Sequence, residues 1–323
     1  MALLFGSMGC VKLFSAQQKN SIAAQVPIIS KPLRTLEGRA GWVYAIALSP
    51  DGRYLVSGSY NKTIKIWSPS NGTLLHTLKG HGDAVVALAI SPNSKVLASG
   101  SWDNRIKLWN LENGQLVQTL EGHTDDVQSV SIGPDGAYLV SGSADKTLRV
   151  WSLKTGQELH QFQDGDPIRA VAFSPDGQMV VSGNERGTIK ICRVRDGAEL
   201  VRMEAHSKAV RAISFSPDGK TLASGSADGT VKLWSWTTHL WQQTLAGHSA
   251  AVWSVTFSPD GKTLASSSYD STVKLWRLPQ GQLFRNITGH RKSVWSVAFN
   301  PSGSMLASGG SDLSINLWPL SFP

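Results

Sequence analysis

The chain has little cysteine and no long apolar run, and each shortage excludes a class of protein. Its 323 residues include two cysteines, Cys10 and Cys192. Two thiols so placed offer neither a disulfide framework nor metal-ligand spacing. They allow a reducing compartment without requiring one. No run of about 18 apolar residues occurs, so no stretch reads as a membrane-spanning helix. The opening "MALLFGSMGCVKLFS" is apolar but short, and Lys12 interrupts it. It lacks the basic start and small-residue cleavage site of a secretory signal. Its "SMGC" resembles a lipoprotein cleavage box, but Ser7 stands where a branched aliphatic residue is wanted. Residues 1–31 are therefore expected to be an N-terminal tail, either disordered or a vestigial anchor.

What remains is the composition of a soluble globular protein, 41% hydrophobic and 17% charged, with a net charge of +8. That excess would favour an acidic partner surface only if the charges gathered in one place.

The dominant feature is a period. Phrases of the type "[IV]-K-[IL]-W" end at Trp67, Trp109, Trp151, Cys192, Trp234, Trp276 and Trp318, in steps of 42, 42, 41, 42, 42 and 42 residues. Seven copies fill residues 33 to 318 and leave no room for a second domain. Within the second copy, "AVVALAI" (84–90) is an apolar run bounded by turns, the mark of a strand buried on both faces. "SPNS" turns the chain, and other copies use "SPDG", "GPDG" or "NPSG". Proline in second place presets φ, and glycine in fourth place accepts the exit geometry. "KVLASGS" (95–101), "RIKLW" (105–109) and "QLVQTL" (115–120) follow, separated by short turns. Each copy thus predicts four antiparallel strands. One such sheet cannot bury both faces alone, whereas seven packed around an axis can. The fold class is all-β, a seven-bladed β-propeller over residues 32–323. The last copy lacks a fourth strand, and "PLRTLEG" (32–38) matches the fourth strands elsewhere. Residues 33–36 are therefore expected to pair beside the strand ending at Trp318 and close the ring.

Further residues recur in register. "GH" stands at Gly80-His81, Gly122-His123, Gly247-His248 and Gly289-His290, with Ala205-His206 as a variant. A turn aspartate follows each histidine by 22 residues, at Asp103, Asp145, Asp270, Asp312 and Asp228. On these residues the chain resembles the WD40 family, the seven-bladed propellers typified by G-protein β subunits. The resemblance covers about nine-tenths of the chain. The aspartate that commonly follows the tryptophan is absent; Ser68, Asn110, Ser152, Arg193, Ser235, Arg277 and Pro319 stand there. The resemblance implies a buried hydrogen-bonded chain of histidine, serine, aspartate and tryptophan. The complete sets are His81, Ser99, Asp103, Trp109; His123, Ser141, Asp145, Trp151; His206, Ser224, Asp228, Trp234; His248, Ser266, Asp270, Trp276; and His290, Ser308, Asp312, Trp318.

Histidine, serine and aspartate together also suggest hydrolysis. A catalytic triad needs an exposed nucleophile, an oxyanion hole and a cleft, and an enzyme needs it once. Five copies in one register indicate architecture instead, so no catalytic residue, metal or cofactor is expected. Blade 4 departs most from the pattern. It lacks "GH", Arg186 occupies the turn-aspartate place, and Cys192 replaces the tryptophan. Blade 1 has Arg39 for the histidine and Asn61 for the aspartate. Tolerated drift accounts for both; a specialised contact region at blade 4, with Arg169, Glu185 and Arg186 facing a partner, is the alternative.

In propellers of this family the working surface is most often the face carrying the loops before strand one and after strand two. The residues flanking the first-strand valine or isoleucine, and the one before the turn aspartate, should reach it. These positions give Trp42, Tyr44 and Tyr60 in blade 1, Trp102 in blade 2, Trp253 and Tyr269 in blade 6, and Trp295 in blade 7. Blades 3 to 5 are smaller and more polar there, with Arg169 and Arg211. Exposed Trp and Tyr clusters make binding hot spots. The expectation is a peptide or protein partner held on the aromatic half, with its acidic groups toward Arg169 and Arg211. Against this stands plain packing of the rings around the channel. Lys65, Lys107, Arg149, Lys190, Lys232 and Lys274 precede the third-strand tryptophan or its substitute by two residues. One per blade, they are expected around the ring's side as no single patch, so nucleic-acid binding is not expected.

The leading functional expectation is a non-catalytic scaffold, monomeric or part of a hetero-complex, in the cytoplasm. The alternative is a docking or sensor module of a larger signalling protein, tethered to a membrane through the tail. No small-molecule substrate is evident.

Overall fold

The computed structural model describes residues 26–37 and 41–320. Every regular element among them is a strand, and no helix there is long and apolar enough to cross a membrane. The strands form seven sheets, one per copy of the repeat. Blade 2 is typical: Val85–Ile90, Val96–Ser101, Ile106–Asn110 and Leu116–Leu120 pair in chain order as antiparallel neighbours. The first strand is innermost. First strands of successive blades touch one another around the channel, and the fourth strands, with exposed residues such as Leu116 and Val117, form the outer wall.

The core lies between blades. Seven apolar clusters each draw on two neighbours. One joins Tyr54, Val56 and Ile66 of blade 1 to Val85, Leu97 and Trp109 of blade 2. Another joins Leu36, Val43 and Leu55 to Ile315 and Leu317 across the closing seam. The third-strand phrase, with Ile106, Lys107, Leu108 and Trp109 all buried, is covered on both faces because each blade is sandwiched between two others.

Closure follows the expected route. Arg34–Glu37 pairs antiparallel with Ser314–Pro319, Leu36 opposite Ile315, and the Leu33 amide donates to the Leu317 carbonyl at 2.8 Å. A second contact adds to it. Ile28–Ile29 pairs in parallel with Gln282–Ile287 and makes blade 6 a five-stranded sheet. Chain residues assigned by composition to the tail therefore cover one outer edge, a usual way of blunting an unpaired strand. Arg39 lies outside the described residues.

The turn chemistry matches its sequence. In "SPDG" at 49–52 the Ser49 hydroxyl donates to Asp51 Oδ1 at 2.6 Å, and the Gly52 amide donates to the Ser49 carbonyl at 2.8 Å. Gly52 has φ of 73°, which a side chain would strain.

One expectation about charge is corrected. The basic residue that in six blades stands two places before the third-strand tryptophan or its substitute does not line the ring's side. Lys107, Arg149, Lys190 and Lys274 are buried, while Lys65 and Lys232 are half-buried. Alternation along a strand puts this residue on the tryptophan's face, so its ammonium is spent inside the blade. Lys107 Nζ donates to Thr119 Oγ1 at 2.9 Å, and Lys232 Nζ to the Ala205 carbonyl at 2.6 Å.

Candidate functional site at the channel mouth

The repeated polar sets are internal. In all five complete sets the histidine Nε2 lies 2.6–2.8 Å from the serine hydroxyl. Its Nδ1 lies 2.7–3.0 Å from the aspartate. The indole N–H donates to the same serine oxygen at 2.7–2.9 Å. One proton assignment satisfies every group: indole to serine, serine to Nε2, Nδ1–H to carboxylate. Ser99, Ser141, Ser224, Ser266 and Ser308 are fully buried, so none can meet a substrate. Burial raises the Asp103 carboxyl, but hydrogen bonds from His81 and the Gly82 amide outweigh it and hold the pKa at about 2. Such a network braces a blade, since each member alone would be costly to bury.

Blade 4 has built a substitute that the sequence pattern did not disclose. Asp164, buried where five other blades carry the histidine, accepts from Ser182 Oγ at 3.2 Å and from Asn184 Nδ2 at 2.8 Å. Lys190 Nζ lies 3.6 Å from its Oδ2 and also donates to its backbone carbonyl. The signal was the first aspartate of "QDGDP", Asp164, invisible to a search for "GH". Cys192 sits beneath, its thiol pushed up to about 11 by burial and by nearby Glu199.

The mouth is built from one irregularity repeated seven times. Each first strand shifts register after its opening valine or isoleucine: Val43 pairs with Ser59, but Ala45 pairs with Gly58. The extra residue is a β-bulge, which re-aims a side chain. The bulged residues are Tyr44, Val86, Gln128, Arg169, Arg211, Trp253 and Trp295. All seven line the channel entrance, one from each blade.

The structure brings the nine predicted residues to this end. Trp42, Tyr60 and Tyr269 are 42%, 51% and 56% exposed; the others are half-buried. Tyr44 stands at the centre, its ring centroid 5.3 Å from both Trp102 and Trp295 and 6.4 Å from Tyr60. Burial and then Tyr60 push its phenol up to about 12. Trp253 meets Trp295 edge-on at 4.4 Å, and Tyr269 meets Trp295 at 5.9 Å. Arg211 lies over the Trp253 ring, 4.6 Å from its centroid. A cavity of about 290 Å³ opens among Tyr44, Trp102, Arg211, Trp253 and Trp295. The two arginines are not equally free. Arg169 Nε donates to Glu185 Oε2, and the other oxygen of Glu185 lies 3.7 Å from Arg211. Arg186 is paired with Asp166 at 2.8 Å. Burial lowers the Arg211 pKa, against the opposing pull of Glu185.

Fold and mouth together define a repeat-built propeller with a side-chain-sized opening at one end of its channel. The family model for the second beta-propeller of echinoderm microtubule-associated protein matches residues 127–295, more than half of the chain. That for the WD domain, G-beta repeat, matches residues 30–68, 72–110 and 281–319. The chain belongs to the WD40-repeat β-propeller family, whose general role is protein binding.

Individual relatives match over short segments. Pleiotropic regulator 1 of Bos taurus is 36% identical over 76 residues, 20% of this chain and 15% of that protein. Protein HIR1 of Kluyveromyces lactis is 46% identical over 46 residues, 14% of this chain and 5% of that protein. Nuclear distribution protein PAC1 of Scheffersomyces stipitis is 53% identical over 36 residues, 11% and 7% of the two chains. The matches thus span 15% or less of these relatives' lengths.

Proposed function

We propose that this propeller is a non-catalytic scaffold that holds a peptide or protein segment at the aromatic half of its channel mouth. The observation that carries the reading is the continuity of the ring cluster from Tyr269 through Trp295 and Tyr44 to Trp42 and Tyr60. Rings that served only to pack the channel would be covered, yet Trp42, Tyr60 and Tyr269 keep about half their surface open. Aromatic side chains bury much area at small entropic cost, and they dominate protein interfaces for that reason. Protein binding, the general role of the WD40-repeat family, accords with this reading. Inaccessible serines in all five polar sets support the absence of hydrolytic chemistry there.

The test is affinity capture from the native source with the intact protein and with Trp253→Ala combined with Trp295→Ala. Neither tryptophan belongs to the seven inter-blade clusters, so the variant should remain folded, with the partner lost. A specific partner captured equally well by the folded variant would place the working surface elsewhere.

A further inference from the structure

Several residues that line the cavity at the mouth carry donors with no partner. The indole N–H groups of Trp102, Trp253 and Trp295 and the Nε–H of Arg211 are buried, without a hydrogen-bond partner among the described residues. All four residues line the same cavity of about 290 Å³. Buried donors are normally satisfied, and each left open costs about 1–3 kcal/mol. The acidic side chain in the lining, Asp126, is turned to Gln128, whose Nε2 donates to it at 3.3 Å. Glu185 engages Arg169 and a terminal nitrogen of Arg211 but leaves Arg211 Nε open. The four residues that carry these unpartnered donors line one cavity, and the group that complements them brings several acceptor oxygens and no donor of its own.

We propose that the cavity receives a single carboxylate of the partner, an Asp or Glu side chain inserted from an extended peptide. Its oxygens accept from Arg211 and from the surrounding indoles. The inference rests on the reading of the mouth as the binding surface and narrows it. A volume of about 290 Å³ lies at the small end of ligand pockets, which run from roughly 300 to 1,000 Å³, and suits one side chain better than a drug-sized molecule. Guanidinium is the side chain best matched to a carboxylate, and stacking on Trp253 holds it in place. Arg169 is excluded as the anchor because Glu185 occupies it. Glu185 acts as a resident competitor: its carboxylate holds Arg211 in the free protein and yields part of that hold when the partner's acid enters.

The experiment is selection of a random linear peptide display library on the whole protein, after subtraction on the double tryptophan variant. Enriched peptides are expected to share one Asp or Glu at a fixed position. Its change to Asn or Gln should weaken binding about tenfold or more, the loss of a charge-assisted hydrogen bond. Arg211→Gln should abolish the consensus. Glu185→Gln should raise affinity for the selected peptide about threefold, because the competent state is no longer masked; this gain does not depend on whether the Arg211 variant folds. A consensus with Lys or Arg at the fixed position overturns the proposal. So does an acidic consensus that survives Arg211→Gln, unchanged or weaker binding in Glu185→Gln, or no consensus at all. Should the native partner be lost with the two tryptophans while peptides select a cation, the mouth stands as the surface and only the carboxylate fails.

Discussion

Gly100 faces Val127 across the seam between blades 2 and 3, so closely that a Cβ on the glycine would stand 2.8 Å from Val127 Cγ1. The same fit recurs at Gly58 with Val85, Gly225 with Val252 and Gly309 with Val43. The second-strand glycine at these positions thus admits the first-strand valine of the next blade, and Gly142 admits the isoleucine Ile168 in the same way. Gly100→Ala is expected to destabilise by about 1–3 kcal/mol through overpacking, since Val127 and Val130 are both buried in the seam. Urea unfolding reads it directly, and an unchanged midpoint would mean that the seam can open at no cost.

The repeat was legible because every blade solves the same burial problem. The spacing of the third-strand tryptophans, the turn signals and the "PLRTLEG" match predict blade number, strand order and a closing strand at residues 33–36, which the structure forms at Arg34–Glu37. The ring of mouth residues was legible as positions, though its cause was not. The bulge at Tyr44 and its six counterparts is a backbone event with no residue signature. Two features stayed hidden for a different reason. Lys107 and its equivalents look like surface charge until the two-sided burial of the third strand is seen. Asp164 works through Ser182, Asn184 and Lys190, residues brought together by the sheet.

The polar braces give the fold a directional pH dependence. The Asp103 carboxyl sits at about 2 instead of 3.8, and those of Asp145, Asp228, Asp270 and Asp312 are likewise lowered. A carboxyl depressed by folding stabilises the native state above its unfolded value, and that contribution is lost as pH falls through the folded one. His206 extends the effect upward. Burial lowers its pKa from 6.5, so below that pH the unfolded chain takes up a proton that the folded chain resists. Stability is expected to decline gently below 6.5 and steeply from 3.8 to about 2. Asp103→Asn should be less stable at neutral pH and show a shallower acid limb. Equilibrium unfolding across that range is the check, and a flat profile between about pH 7 and pH 3 would contradict the bracing role.

Blade 4 separates a brace from mere drift. Its Asp164 and Lys190 side chains are 3% and 4% exposed, with 3.6 Å between them. Removing one partner of a buried ion pair leaves the other charged and uncompensated, which typically costs about 3–5 kcal/mol. Lys190→Met should therefore destabilise by about that amount. Adding Asp164→Asn should recover about 1–3 kcal/mol of it, because the stranded charge is gone while Ser182 and Asn184 retain a partner. A double-mutant cycle by urea unfolding measures that coupling. If Lys190→Met is silent, neighbouring blades hold this sheet without help, and the loss of the histidine in blade 4 is tolerated drift. If the coupling appears, the blade has replaced a neutral imidazole relay with an ion pair, and its departure from the repeat is a second solution to the same burial problem.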